Sequence, residues 1–301
     1  MHPTVVIGGI LFAAAAFLLR SRWERKQLKV EHYHVKTNKI DSHARIVFLS
    51  DLHSKSFGED NRDLIMEVSK LNPDLIIIGG DMITCGKKTS NPPKTKTCID
   101  LVESLSERWF VYYAEGNHEA RFRERFPDDY AIFTTHLDQL SQVEYLSDRC
   151  SAFDCEDRIE DVYDDLYIFA AGLDSDYFKP LRPGFGRKKD MPEEYLYSKL
   201  GEADRNRFNI LMLHTPMYFE QAAKWGADLV LSGHFHGGTI RIPGLGGLMT
   251  PQFQFFVKEC AGEFETEGSK MIVNRGLGTH SIKLRINDLP EISCIDIEGR
   301  I

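Results

Sequence analysis

The stretch "IVFLSDLH", residues 46–53, runs from a short apolar segment straight into a serine, an aspartate and a histidine. A β-branched and aromatic run of this length suits a strand buried on both faces, and the polar residues fall where such a strand ends. The same pattern recurs at residues 75–78, 110–113, 166–170, 210–213, 229–231, 271–273 and 295–297. Helical periodicity lies between the early runs. Residues 60–71 carry Leu64, Ile65, Val68 and Leu71 on one stripe, and residues 97–106 carry Leu101, Val102 and Leu105. A third helix is predicted after Thr215, with Pro216 in its first turn and Gly226 as its stop. Alternating strand and helix predicts an α/β fold around a largely parallel sheet. From Gly237 onward, short strands broken by glycine and proline predict antiparallel hairpins that close a second sheet.

In an open parallel α/β sheet, ligands gather at the carboxyl ends of the strands, because the loops there converge on one crevice. The first run is followed by Asp51 and His53, the second by Gly80 and Asp81, and the third by Gly116, Asn117, His118 and Glu119. The run at 210–213 leads into His214, and the run at 229–231 leads into Gly233, His234 and His236. Any one of these fragments is commonplace. Together they bring two aspartates, one asparagine and five histidines to one crevice, where each would cost desolvation unless paired. Imidazole nitrogen and carboxylate oxygen without cysteine suit Zn²⁺, Mn²⁺ or Fe better than Ca²⁺ or Mg²⁺. These are too many ligands for one tetrahedral zinc, whereas two ions about 3.5 to 4 Å apart, bridged by a carboxylate, would use them. His234 and His236, two residues apart on an extended strand end, are expected on the same side of the chain, each facing a different ion.

The ordered set Asp51-x-His53, Gly80-Asp81, Gly116-Asn117-His118-Glu119, His214 and Gly233-His234-x-His236 resembles the calcineurin-like metallophosphoesterases over about residues 44–240. The later segments "NRGLGTH" (274–280) and "PEISCIDI" (290–297) resemble the membrane-anchored bacterial branch of that superfamily. Glu119 stands where many relatives have aspartate. The resemblance implies a four-layer α/β/β/α sandwich. It also implies two divalent metal ions (Mn²⁺, Fe²⁺/Fe³⁺ or Zn²⁺), one held by Asp51, His53 and His236, the other by Asn117, His214 and His234, with Asp81 bridging. The implied reaction is phosphoester hydrolysis: a metal-activated hydroxide attacks phosphorus and His118 protonates the departing oxygen.

Residues 4–19 hold no charge and approach the length needed to cross a bilayer as a helix, with Arg20, Arg22, Arg25 and Lys26 directly after. No lysine or arginine precedes the apolar run, unlike a cleaved signal peptide. The positive-inside rule then puts residues 20 onward in the cytoplasm, as a single-pass protein of the cell membrane. The expected organisation is an anchor with its basic flank at 1–26, a linker and edge strand at 27–43, and a catalytic domain at 44–301. A net charge of −8 argues against a general nucleic-acid surface. The six cysteines form no C-x-x-C pair and read as reduced, mostly buried residues, consistent with a cytoplasmic domain. Oligomeric state is not encoded in any feature of the sequence.

An anchor beside a phosphoesterase points to a phosphoester substrate at the bilayer, such as a phospholipid or a lipid-linked or nucleotide-diphosphate lipid. Among anchored relatives are UDP-2,3-diacylglucosamine pyrophosphatases. Apolar residues at 240–256 could receive an acyl chain. The alternatives are a phosphodiesterase of soluble nucleotides and a non-catalytic scaffold of the same fold. Three stretches read as insertions: 84–96, which is basic, 144–165, which is acidic, and 172–207. Arg121 is a candidate contact for a substrate phosphate, and His280 a candidate cleft residue.

Overall fold

The computed structural model describes residues 2–41, 43–152, 166–178, 189–250, 254–279 and 283–300. In chain order the strands are β1 (Lys29–Lys36), β2 (His43–Leu49), β3 (Leu75–Ile78), β4 (Phe110–Ala114), β5 (Val143–Leu146), β6 (Arg149–Ala152), β7 (Leu166–Ala170), β8 (Phe208–Met212), β9 (Leu229–Ser232), β10 (Arg241–Ile242), β11 (Gly246–Gly247), β12 (Gly262–Thr266), β13 (Ser269–Val273) and β14 (Glu291–Glu298). The α-helices are α1 (Pro3–Glu24), α2 (Arg62–Leu71), α3 (Lys96–Ser106), α4 (Asn117–Arg125), α5 (Pro127–Asp138), α6 (Glu194–Leu200) and α7 (Phe219–Trp225).

Two six-stranded sheets, ordered β1-β14-β2-β3-β4-β5 and β12-β13-β9-β8-β7-β6, stack face to face. Strands β2 to β5 run parallel, as do β13, β9, β8 and β7. The central strands are apolar on both faces because both are covered: β3 and β9 are buried at every position. Ile46, Phe48, Ile77, Ile210, Leu231 and Ile295 fill the space between the sheets. Val47, Leu64, Val68, Leu101 and Leu105 pack α2 and α3 on the outer face of the first sheet. Leu211, Val230, Ala222 and Trp225 pack α7 on the outer face of the second. The result is the expected four-layer α/β/β/α sandwich.

Two elements depart from the sequence reading. The hairpin β12-β13 joins the second sheet as expected, but β14 returns to the first, lying antiparallel to β2 and parallel to β1. Its every residue but the last is buried, so it requires two flanking strands and cannot sit as an edge. The start of the stretch read as an acidic insertion is structural: β5 and β6 are the edges of the two sheets, and residues 153–165 lie outside the described residues. Of the cysteines, Cys85, Cys98, Cys260 and Cys294 are free and buried, Cys150 is free and exposed, and Cys155 lies outside the described residues.

Candidate active site

The loops after β2, β3, β4, β8 and β9 meet at one end of the sandwich, and they do so at a conformational cost. Asp51, His53, Asp81, His234 and His236 all have φ between 48° and 67°, the left-handed region that disfavours residues with a Cβ. Strain concentrated in this way marks residues whose side-chain direction matters more than local backbone preference. His234 and His236 are therefore not on an extended strand end, as the sequence suggested. Left-handed turns, rather than strand alternation, send them to different partners. Gly80, at φ 89°, lies against the backbone of Gly116, where a Cβ on either residue would collide with the other loop.

The side chains converge closely. His236 Nε2 lies 3.2 Å from Asp51 Oδ1 and 3.0 Å from His53 Nε2. His214 Nε2 lies 3.2 Å from Asp81 Oδ2, while His53 Nε2 and His118 Nε2 each lie 4.0 Å from that same oxygen. Three sets are close enough to hold a metal ion: Asp51, His53 and His236; His53, Asp81 and His118; and Asp81, His214 and His234. Asp81 belongs to two of them. The Asn117 side-chain amide lies against His234 Nδ1 at 2.8 Å and Asp81 Oδ2 at 3.2 Å, donating to both through its nitrogen. His234 Nε2 is buried and has no hydrogen-bond partner among the described residues. This donor set fits divalent transition-metal ions.

Each group is held from behind. Ser50 Oγ donates to Asp51 Oδ2 at 2.6 Å, and the His234 N–H donates to the same oxygen at 3.0 Å. The His118 N–H donates to Asp81 Oδ1 at 2.7 Å. His214 Nδ1 donates to the Gly79 carbonyl at 2.7 Å, which turns Nε2 toward Asp81. Burial works to raise the carboxyl of Asp51, but His236 and His214 hold it well below its usual range; for Asp81 burial is likewise overcome by His214 and His118. Burial lowers His234 to about 3, and it opposes the pull of Asp81 and Asp51 that takes His214 up to about 10. The carboxylates thus stay ionised and draw positive charge between them.

Several residues around the ligand set shape the site. Glu119 accepts N–H groups from Asp81 at 2.8 Å, Met82 at 2.9 Å and Gly116 at 3.0 Å, together with the Tyr113 hydroxyl at 2.9 Å. It clamps the β3 loop to the start of α4. The basic stretch 84–96 supplies the Cys85 N–H to His118 Nδ1 at 2.8 Å, and Arg125 binds that stretch by the carbonyls of Gly86 and Thr89. Arg121 Nη1 donates to the Cys85 carbonyl at 2.5 Å and lies 3.4 Å from His118 Nδ1. The stretch 172–207 contributes Phe178, whose ring lies 5.3 Å from that of His234. His280 lies outside the described residues.

This fold and this cluster define a metal-dependent phosphoester hydrolase. Residues 44–238 match the calcineurin-like phosphoesterase family model, and the chain belongs to that family. It is 24% identical to the Bacillus subtilis (strain 168) protein YpbG, over 99% of both chains. It is 25% identical to an uncharacterized metallophosphoesterase of Aquifex aeolicus (strain VF5), over 96% of this chain and 99% of that one. It is also 28% identical to the Danio rerio transmembrane protein with metallophosphoesterase domain, over 83% of this chain and 52% of that protein.

Proposed function

We propose that the chain is a membrane-anchored phosphodiesterase or pyrophosphatase whose centre takes two divalent ions. In this reading Asp51, His53 and His236 hold one ion, Asn117, His214 and His234 the other, and Asp81 lies between. The observation that carries it is the overlap of three ligand sets, Asp51 with His53 and His236, His53 with Asp81 and His118, and Asp81 with His214 and His234, in one buried cluster where His214 Nε2 lies 3.2 Å from Asp81 Oδ2. When bound, the ions supply charge neutralisation for the phosphoryl group and lower the pKa of a water nucleophile.

The protein groups do the rest. Asp51 and Asp81 are fixed by Ser50, by backbone N–H groups and by the Glu119 clamp, so they need no rearrangement during turnover. His118 donates a hydrogen bond from Nε2 to the departing oxygen. The Cys85 N–H occupies its Nδ1 lone pair, so its proton sits on Nε2, the atom that faces Asp81 and the cleft. Arg121, beside His118, adds positive charge next to a bound phosphate.

The anchor reading rests on α1, whose residues 3–20 are all exposed in the described structure, and on its apolar composition. The Danio rerio transmembrane relative fits it. With the basic flank after the helix, the catalytic domain at 44–301 lies on the cytoplasmic face. We read the substrate as a phosphoester at the bilayer, of the lipid-linked or nucleotide-diphosphate-lipid class. The test is turnover of bis-p-nitrophenyl phosphate by the full chain with Mn²⁺, together with metal analysis. Asp81→Ala should lose both activity and bound metal; retention of both would overturn the assignment.

A further inference from the structure

The last turn of α1 is built into the catalytic domain rather than joined to it by a flexible tether. Ser21 and Glu24 are buried: Ser21 Oγ accepts the Arg285 N–H at 3.0 Å, and Glu24 Oε2 accepts the Asp288 N–H at 3.3 Å. Arg20, one residue earlier, is exposed and reaches Asn287 Oδ1 at 3.5 Å. One face of the helix therefore becomes buried at Ser21, directly after Arg20, while Arg22 and Trp23 stay exposed. A bilayer around residues 4–19 must meet whatever part of the domain surrounds Arg20.

That surface is made by residues 240–250 and 254–256. Asn287 Nδ2 donates to the Arg241 carbonyl at 3.2 Å, and the Arg241 N–H donates to the Ile286 carbonyl at 2.9 Å, so the β10-β11 hairpin starts beside the end of α1. From Arg241 to Leu245 the chain can span no more than about 14 Å, which keeps the hairpin tip near the helix. Leu245 is 63% exposed, Phe255 60% and Phe256 52%, and the Phe256 N–H bonds the Leu248 carbonyl at 3.2 Å, which ties both aromatics to the same unit. Trp23, 55% exposed on the face of α1 shared with Arg20, is the type of residue that settles at the headgroup level. The sixteen uncharged residues 4–19 of α1 span about 24 Å as a helix, short of the roughly 30 Å hydrocarbon core, which draws the headgroups toward the domain.

Resting on the reading of α1 as a membrane anchor, we propose that Leu245, Phe255 and Phe256 insert into the bilayer interface and hold the site mouth against the membrane. The rim adjoins the chemistry: Arg241 Nη1 donates to the Gly237 carbonyl at 3.1 Å, next to His236. Arg20, Arg22, Arg25 and Lys26 follow the apolar run directly in an otherwise acidic chain, which suits anionic lipid at that end of the helix. A substrate whose phosphoester lies at the headgroup level would then reach the metal ligands without leaving the membrane.

The test uses the full chain, with Cys150 and Cys155 replaced by serine, reconstituted in phosphatidylethanolamine–phosphatidylglycerol vesicles. An environment-sensitive fluorophore is attached at Leu245→Cys, Phe256→Cys, Ile132→Cys or Ala15→Cys, and nitroxide lipids labelled near the headgroup are titrated in. Quenching at 245 and 256 but not at 132, an exposed position on α5, is the expected result. Quenching at 15 with none at 245 and 256 overturns the docking surface and leaves the anchor reading intact. No quenching at 15 removes the anchor reading, and the inference with it.

Discussion

The backbone N–H of Cys85 donates to Nδ1 of His118 across 2.8 Å, from a loop that looked inserted to a histidine at the start of α4. That bond selects the tautomer. Burial also lowers the pKa of His118, which favours the neutral ring with its proton on Nε2, directed at the cleft. His118→Ala is expected to lower kcat by about 10²- to 10³-fold, the loss of one hydrogen-bond donor to the leaving oxygen, while KM and bound metal stay near wild type. A matching loss of metal would mean that His118 is a ligand rather than the group meeting the leaving oxygen.

Glu119 is expected to matter as much for folding as for catalysis. Its carboxylate receives the Asp81, Met82 and Gly116 N–H groups and the Tyr113 hydroxyl, all buried. Glu119→Ala strands these donors and should destabilise the protein by at least about 3 kcal/mol, seen as a lower urea midpoint. Metal affinity should fall with it, because the Asp81 loop loses its clamp. An unchanged midpoint would show the loop to be held by other contacts.

Much of this site was legible because strands buried on both faces are written as apolar runs, and the polar residue after each run needs a reason to be there. That logic found β2, β3, β4, β8 and β9 and the loop residues they carry. It missed β5 because Val143–Leu146 contains Glu144, half-buried and bonded to Ser151 of β6, and so reads as part of an acidic loop. The return of β14 to the first sheet is a long-range pairing with β2, which local periodicity does not report. Cys85 was hidden for another reason: it acts through its backbone N–H, and any residue type supplies one. The turn of His234 and His236 away from an extended path was likewise unreadable, since left-handed φ at histidine is imposed by tertiary contacts.

Arg45 on β2 and Asp296 on β14 give a pH-dependent link far from the metal ligands. Arg45 Nε and Nη2 donate to the two oxygens of Asp296 at 2.7 and 3.2 Å. Burial favours the protonated acid, but the Arg45 hydrogen bond and charge outweigh it and lower the pKa of Asp296. A carboxyl with a depressed folded pKa adds stability that is present above its unfolded value near 3.8 and lost as pH falls through the folded value. Asp296→Asn should therefore cost about 1 kcal/mol at neutral pH, a modest figure because the Arg45 side chain is 37% exposed. Unfolding midpoints of variant and wild type should converge as pH falls through the depressed folded pKa of Asp296. A gap that stays constant down to acid pH would assign the loss to packing.

The junction between α1 and the domain predicts where the chain can be cut. Arg285, buried with Asp288, holds the carbonyls of Arg275, Gly276 and Gly278 at 2.7, 2.9 and 2.6 Å. The Gly278 N–H in turn bonds the Asp51 carbonyl at 2.6 Å, and a Cβ on Gly276 would lie 2.7 Å from that of Asp51. Ser21 and Glu24 satisfy the Arg285 and Asp288 N–H groups, and Lys55 donates to the Arg25 carbonyl. Removing residues 1–19 takes away exposed helix and should leave bis-p-nitrophenyl phosphate turnover and thermal midpoint near those of the detergent-solubilised full chain. Removing residues 1–26 also strips the partners of two buried N–H groups beneath Asp51, and should cost roughly 2 to 4 kcal/mol and weaken metal binding. The comparison is direct, since both truncations lack the exposed apolar helix. If they match in midpoint and metal content, the last turn of α1 contributes nothing to the floor of the site.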